Sequence, residues 1–196
     1  VSMLHFAFEL TAYWTPMVLV AAANESASEH TKILFWPGLV FAFVQYTYTR
    51  HLHRHYWQGK AAALAVTVLA IFALYYGYMA ALDIWGGSAS LQAMMTITVL
   101  GVSIGQFVSY LILTAEPFSP VTGRYAAVTF ATLIAMFSLL TFFPPRVFLF
   151  ENLFCYAYTG EYGILEDYEP YRIFTRGDDP SSANINYCEK EDKDSN

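Results

Sequence analysis

Four long apolar runs constrain the fold of this chain more than any other feature. A helix needs roughly 20 predominantly apolar residues to cross the hydrocarbon core of a bilayer. The runs cover residues 31–49, 61–82, 91–115 and 125–143. Short polar or Pro/Gly-rich segments separate them, so neighbouring helices are expected to pack antiparallel. Within the third run, Gly101 and Gly105 have the GxxxG spacing that favours close helix contact. The pattern predicts an all-α, polytopic transmembrane helix bundle with four full crossings.

The N-terminal segment fits this pattern less well. Pro16 interrupts an apolar run that also contains His5 and Glu9, and proline kinks or breaks a helix. We therefore interpret residues 1–14 as the end of a partial N-terminal crossing and residues 15–25 as an apolar loop at the membrane interface. Because the chain begins with valine, we expect that a presequence was removed or that the start of a membrane helix is missing.

The charged residues are few and unevenly distributed. The chain is 56% hydrophobic and 13% charged, whereas a soluble domain carries about a quarter charged residues. Residues 1–143 hold five acids and five bases, and residues 144–196 hold eleven acids and five bases, which accounts for the net charge of −6. This distribution argues against nucleic acid, which needs a basic face. We divide the chain into a transmembrane bundle, residues 1–145, and an extramembrane tail, residues 146–196.

The tail is rich in aromatic side chains up to Phe174 and polar after Gly177. Aromatic surface is costly to leave in water, and a polar segment of this kind becomes ordered only against another surface. We therefore predict that the tail binds other membrane-protein subunits through Phe148, Phe150, Phe154, Tyr168 and Tyr171. The tail also contains Cys155 and Cys188, whose spacing leaves both a disulfide and two free thiols open.

The segment NESASEH, residues 24–30, places two carboxylates and a histidine just before an apolar run. Ser26 followed three residues later by Glu29 is the pattern of a capping box. Carboxylates also favour the positive end of a helix dipole. On this interpretation the segment starts a helix and performs no chemistry.

A second interpretation treats the same residues as part of a functional cluster. Residues four apart on a helix lie on neighbouring faces, and His5 with Glu9, Glu25 with Glu29, and Ser26 with His30 all have this spacing. Ionisable groups near membrane depth usually pair or mark a functional site. The candidate polar cluster comprises His5, Glu9, Asn24, Glu25, Ser26, Glu29 and His30.

Within this cluster, the carboxylates and imidazoles are ligand types that suit Zn²⁺, Fe²⁺ or Mn²⁺. The candidate metal ligands are His5, Glu9, Glu25, Glu29 and His30. The same groups would also serve as a proton relay. A divalent metal and bound lipids are the candidate cofactors.

The chain contains, in order, His5-Phe6, Glu9, the NES…EH signature of residues 24–30, and a TGxYGI element ending at Ile164. This set of motifs resembles that of a family of small, functionally uncharacterised bacterial multi-pass membrane proteins. The similarity covers about residues 4–164. The resemblance implies the helix layout and the grouping of polar residues, but it implies no reaction. The chain departs from the family after Ile164, where such proteins usually end.

Three classes of function follow from these observations. The first is an accessory subunit, without activity of its own, of an organellar energy-converting complex such as a respiratory-chain, ATP synthase or photosynthetic assembly. Its expected location is the mitochondrial inner membrane, with the thylakoid membrane as the second choice. The alternative is a membrane-embedded, metal-dependent enzyme that acts on lipid through the candidate cluster. A proton or ion conductor is the third class, although the later helices offer no charged residue to continue a pathway.

Overall fold

The computed structural model describes residues 2–12, 14–53, 55–115 and 122–151, except for the side chains of Ser2, Glu9 and Thr122. The regular elements of this part of the chain are α1 (Ser2–His5), α2 (Ala7–Leu10), a 3₁₀ turn (Thr15–Leu19), α3 (Ala27–Thr49), α4 (Tyr56–Trp85), α5 (Leu91–Thr114), α6 (Thr122–Leu139) and a 3₁₀ turn (Phe148–Phe150). The described residues contain no regular β-strand. The prediction of an all-α fold is therefore confirmed for this part of the chain.

The chain forms two compact units. One comprises residues 1–33 together with the chain from residue 136 onward, and the other comprises residues 34–135. The predicted boundary between a bundle and a tail at residue 145 stays a prediction, since residues 152–196 lie outside the described part.

Within the second unit, α4 and α5 pack closely along a stripe of small residues. Gly101, Gly105 and Ser109 are buried at successive turns of α5. A methyl group added to Gly105 would lie 2.6 Å from the carbonyl oxygen of Ala63 on α4, and one added to Gly101 would overlap Ile71. The close helix contact that the GxxxG spacing predicts is therefore present.

Among the described residues, two helices are long and apolar enough to cross a membrane, namely α4 and α5. Only 17% and 22% of their most apolar windows are buried within the protein. The prediction of four full crossings is not supported. Lys32 and Gln45 interrupt the apolar character of α3 near its two ends, and the apolar helix at Gly123–Leu139 is shorter than the roughly 20 residues that a crossing needs.

The N-terminal segment also differs from the prediction of one continuous helix over residues 1–14. It forms two four-residue helices, α1 and α2, and the backbone turns at Ala12, where φ is +51°. The following loop then packs back against this segment, because Phe8 and Val18 share one buried cluster with Ala21 and Ala23. The Ala22 amide adds a long hydrogen bond, 3.4 Å, to a carbonyl of α1. These contacts hold His5, at the end of α1, within the first unit.

Candidate metal centre

The start of α3 is capped by residues of the NESASEH segment. The Ser26 hydroxyl oxygen accepts a hydrogen bond from the Glu29 amide at 3.3 Å, which is one arm of the predicted capping box. The other arm differs, because the Ser26 amide donates to Oδ1 of Asn24 at 3.0 Å. The Glu29 carboxylate is thereby free to reach further back, where its Oε2 accepts from the Ala23 amide at 2.8 Å. These bonds fix the backbone on both sides of Glu25.

Glu25 lies between two histidines. Nε2 of His5 is 3.3 Å from Oε1 of Glu25, and Nε2 of His30 is 3.3 Å from Oε2. The two imidazole centroids are 5.1 Å apart. One ligand atom from each residue can be chosen so that all three lie within 4.8 Å of one another. The side chains are 21%, 33% and 42% exposed for His5, Glu25 and His30, so the group is accessible from solvent or lipid.

The ring orientation of His30 is fixed by its second nitrogen. Nδ1 lies 2.9 Å from the Ser26 carbonyl oxygen. A carbonyl oxygen only accepts, so Nδ1 must carry the hydrogen of this bond. Nε2 of a neutral His30 therefore presents its lone pair to the Glu25 carboxylate. Two acceptors at 3.3 Å repel each other unless a proton or a cation lies between them.

Burial and mutual contacts shift the pKa values of the three side chains. Burial alone would raise the pKa of Glu25, but the hydrogen bond and charge of His30, with a contribution from His5, lower it below its usual value. Burial alone would lower the pKa of His30, but contact with Glu25 raises it above its usual value. For His5 burial dominates, and its pKa is lowered despite the nearby Glu25. His5 therefore favours the neutral form that binds metals.

The three side chains, which we call the His5–Glu25–His30 triad, fit a divalent transition metal. Two imidazoles and one carboxylate are the protein ligands of several catalytic zinc sites and of non-haem iron sites. Around a tetrahedral metal with bonds of about 2.0–2.1 Å, neighbouring ligand atoms lie about 3.3 Å apart, which is also the distance from Nε2 of each histidine to its own oxygen of Glu25. Metal-bound histidines usually donate their other N–H to an acceptor. His30 does so, whereas Nδ1 of His5 is buried without a hydrogen bond among the described residues.

Glu29 does not join this triad, although its spacing from Glu25 made it a candidate ligand. Its carboxylate forms a buried ion pair with Lys32 and accepts a hydrogen bond from the Thr141 hydroxyl at 2.8 Å. Lys32 and Thr141 were missed by sequence reasoning. The spacing of Glu29 and Lys32 could have indicated the ion pair, but no sequence signal connects Thr141 to residues more than 100 positions earlier.

The remaining predicted site residues are placed as follows. Asn24 and Ser26 serve the helix cap, and the side chain of Glu9 lies outside the described residues. In the first part of the tail, Phe150 is buried within the chain, whereas Phe148 is exposed. The other three aromatic residues predicted to bind a partner, together with both cysteines, lie outside the described residues: Phe154, Tyr168, Tyr171, Cys155 and Cys188.

These observations define a helical protein that has two helices apolar enough to span a membrane and a candidate site of two histidines and one glutamate. Residues 1–164 match a family of unknown function, DUF6512, and the chain belongs to this family. The match includes the whole triad. No curated protein and no solved structure matches the chain at a significant level.

Proposed function

We propose that this protein is an integral membrane enzyme that acts on a lipid and uses a divalent metal held by His5, Glu25 and His30. The observation that carries the proposal is the convergence of two imidazoles and one carboxylate within 4.8 Å. The fixed tautomer of His30 supports it, since the free lone pair on Nε2 needs a cation or a proton opposite Glu25.

The exposed surface of α4 and α5 supports the membrane location. A helix of the length of α5 extends about 36 Å at 1.5 Å per residue, which exceeds the roughly 30 Å of a bilayer core. Its large exposed apolar side chains are Leu91, Met95, Val99, Leu100, Ile104, Phe107 and Leu111. A contiguous apolar face of this size needs lipid or another protein against it.

The residues of the triad would have different roles at such a metal centre. His5 and His30 would each bind the metal through Nε2, and Glu25 would supply the negative charge that partly neutralises it. When bound, a divalent metal polarises a carbonyl or phosphoryl oxygen and lowers the pKa of a water ligand. The partial exposure of all three side chains leaves a direction from which water and a lipid ester or phosphoester could enter.

Metal content measured on purified protein tests this proposal. The wild-type protein in mild detergent should contain about one equivalent of Zn²⁺, Fe²⁺ or Mn²⁺ by elemental analysis, or should take up one equivalent of Zn²⁺ in a titration. The variant His30→Gln should lose this metal. His51→Gln is the matched control, because His51 is an exposed loop histidine outside the triad. A wild-type protein that takes up none of the three metals overturns the proposal.

The lipid substrate can be sought with the same protein samples. The metal-loaded wild type is incubated with vesicles of defined phospholipids and glycerolipids, and the products are separated by mass. Turnover that disappears both on chelation and in His30→Gln would establish the activity. Metal binding without turnover of any lipid class would contradict the enzymatic part of the proposal.

The accessory-subunit function is a second candidate, favoured by exposed apolar side chains just before and at the start of the tail. Phe143, Val147 and Phe148 are all exposed at the end of the described chain. We propose that, in this case, the tail joins the protein to a larger membrane assembly, such as an energy-converting complex of an organelle. Co-purification from native membranes tests it: truncation after Ile164 should release the partners, and unchanged stoichiometry would contradict it.

A further inference from the structure

A second polar group in the first unit is completely buried and fully hydrogen-bonded. Lys32 has no exposed surface, and Glu29 and Thr141 are each 4% exposed. The Lys32 ammonium group donates to Oε2 of Glu29, to the Val18 carbonyl oxygen at 2.6 Å and to Oγ1 of Thr141 at 3.0 Å. These three bonds use all three hydrogens of the ammonium group.

Thr141 closes this group into a ring. Its hydroxyl oxygen lies 2.8 Å from Oε1 of Glu29 and 3.3 Å from the Phe137 carbonyl oxygen, and it donates its one hydrogen to the nearer, charged acceptor while it accepts from Lys32. Oε2 of Glu29 accepts from Lys32 and from the Ala23 amide. Each side chain of the ring thus contacts the other two. We call these three residues the Glu29–Lys32–Thr141 ring.

The ring connects the same chain segments that carry the triad. Through Val18 it holds the loop that packs against Phe8, three residues after His5. Through the Ala23 amide it holds the backbone two residues before Glu25. Glu29 itself is adjacent to His30 in the first turn of α3. The Thr141 hydroxyl is the one member of the ring supplied from the chain beyond α6.

From this arrangement we infer that Thr141 is a positioning residue for the metal centre, acting through Glu29 on Glu25 and His30. The inference rests on the proposed metal-binding function. Buried ion pairs contribute little net stability compared with apolar residues of the same volume. Stability alone is therefore a poor explanation for the ring. Residues that orient metal ligands, in contrast, commonly change the affinity for the metal by about 10–100-fold.

The substitution Thr141→Val tests this role, because it keeps the shape of the side chain and removes the hydroxyl. Because Thr141 contacts Glu29 and not a ligand, the affinity for Zn²⁺ should fall about 10-fold, the lower end of the range for residues that bond a ligand directly, at unchanged stoichiometry and unchanged helix content by circular dichroism. The absorption spectrum of the Co²⁺-loaded protein should change, since it reports ligand geometry. Thr141→Ser restores the hydroxyl and should restore both measurements. The matched control is Thr129→Val, because the exposed Thr129 hydroxyl bonds the Tyr125 carbonyl within α6.

The possible outcomes separate the inference from the proposed function. If the wild type binds no metal, the proposed function fails and the inference fails with it. If the wild type binds and Thr141→Val binds with equal affinity and an equal Co²⁺ spectrum, only the inference is overturned. A variant that loses thermal stability but keeps its affinity also overturns it, because that result assigns the ring a structural role. If Thr141→Val does not fold, Thr141→Ala is measured against the same controls and judged by the same criteria.

Discussion

Nε2 of His30 faces Oε2 of Glu25 at 3.3 Å while Nδ1 of the same ring donates to the Ser26 carbonyl oxygen. One residue of the helix cap thus determines which nitrogen of His30 is available to a ligand. At the level of sequence, the helix cap and the candidate polar cluster, from which the triad comes, were alternative interpretations of the NESASEH segment. In the structure they are parts of one arrangement, because the Ser26 carbonyl serves α3 and His30 at once.

The central position of Glu25 leads to the first prediction. Glu25→Gln preserves the size of the side chain but removes the negative charge and one of the two oxygens that face the histidines. Loss of a residue that only orients a ligand lowers metal affinity by about 10–100-fold. Loss of a ligand itself should cost more, so we expect the affinity for Zn²⁺ to fall by about 100-fold or more. Calorimetric titration measures it. Asp83→Asn, at an exposed carboxylate of α4, is the control and should leave the affinity unchanged.

The second prediction concerns the pH dependence of metal binding. Contact with Glu25 outweighs burial and raises the pKa of His30, so its imidazolium form persists above the usual value of about 6.5. That proton must leave before Nε2 can bind a metal. Affinity for Zn²⁺ should therefore fall as the pH decreases through the raised pKa of His30. Glu25 has a lowered pKa and stays ionised over this range, so it adds no further dependence.

Titrations of Zn²⁺ between about pH 6 and about pH 9 check this prediction, because they bracket the usual range of histidine. In Glu25→Gln the attraction that raises the pKa of His30 is absent, so the fall in affinity should move to lower pH. An affinity of the wild type that is constant across this range would contradict the assignment of His30 as a ligand.

The sequence was sufficient to predict the helical class and most of the helix positions. The run at 91–115 corresponds closely to α5 (Leu91–Thr114), because Ser90 caps its start and the run is uniformly apolar. The prediction for 31–49 began too late, since the cap at Ser26 starts α3 at Ala27. The apolar runs also predicted four crossings, whereas only α4 and α5 among the described helices are long and apolar enough to cross a membrane. The run at 31–49 contains Lys32, whose ammonium group forms a buried ion pair with Glu29.

The candidate site was only partly predictable for a related reason. Spacing brought His5, Glu25 and His30 into one hypothesis, and the structure brings their side chains together. The same spacing grouped Glu29 with them, but Glu25 precedes α3, which begins at Ala27, so the two residues do not share a turn of helix. The neighbours that decide the direction of Glu29 are Lys32 and Thr141. Thr141 is 112 residues from Glu29 in the sequence. Local sequence patterns do not indicate contacts between residues so far apart.

The third prediction concerns the buried ion pair. Lys32→Met removes the cation and leaves the Glu29 carboxylate buried without its counter-charge. Breaking a buried pair in this way costs about 3–5 kcal/mol, so the free energy of unfolding in detergent should fall by that order. Replacing both partners, as in Lys32→Met with Glu29→Leu, should recover most of the loss. A double variant that is no more stable than the single one would contradict this account of the pair.

The last prediction concerns the contact between α4 and α5. In Gly105→Ala the new methyl group would meet the Ala63 carbonyl oxygen at 2.6 Å and the Thr67 side chain. Backbone cannot move aside as a flexible side chain can, so the helices must separate. We expect a loss of about 1–3 kcal/mol in the free energy of unfolding, which is typical of overpacking.

Gly77 provides the matched control for this substitution, because it is also a helical glycine but a methyl group added there would contact nothing within 4 Å. Gly77→Ala should be neutral or should stabilise α4 by about 0.5–1 kcal/mol, since alanine restricts the unfolded chain more than glycine does. The measurement is denaturant unfolding of both variants in the same detergent. If Gly105→Ala were as stable as Gly77→Ala, the close approach of the two helices at Gly105 would be wrong.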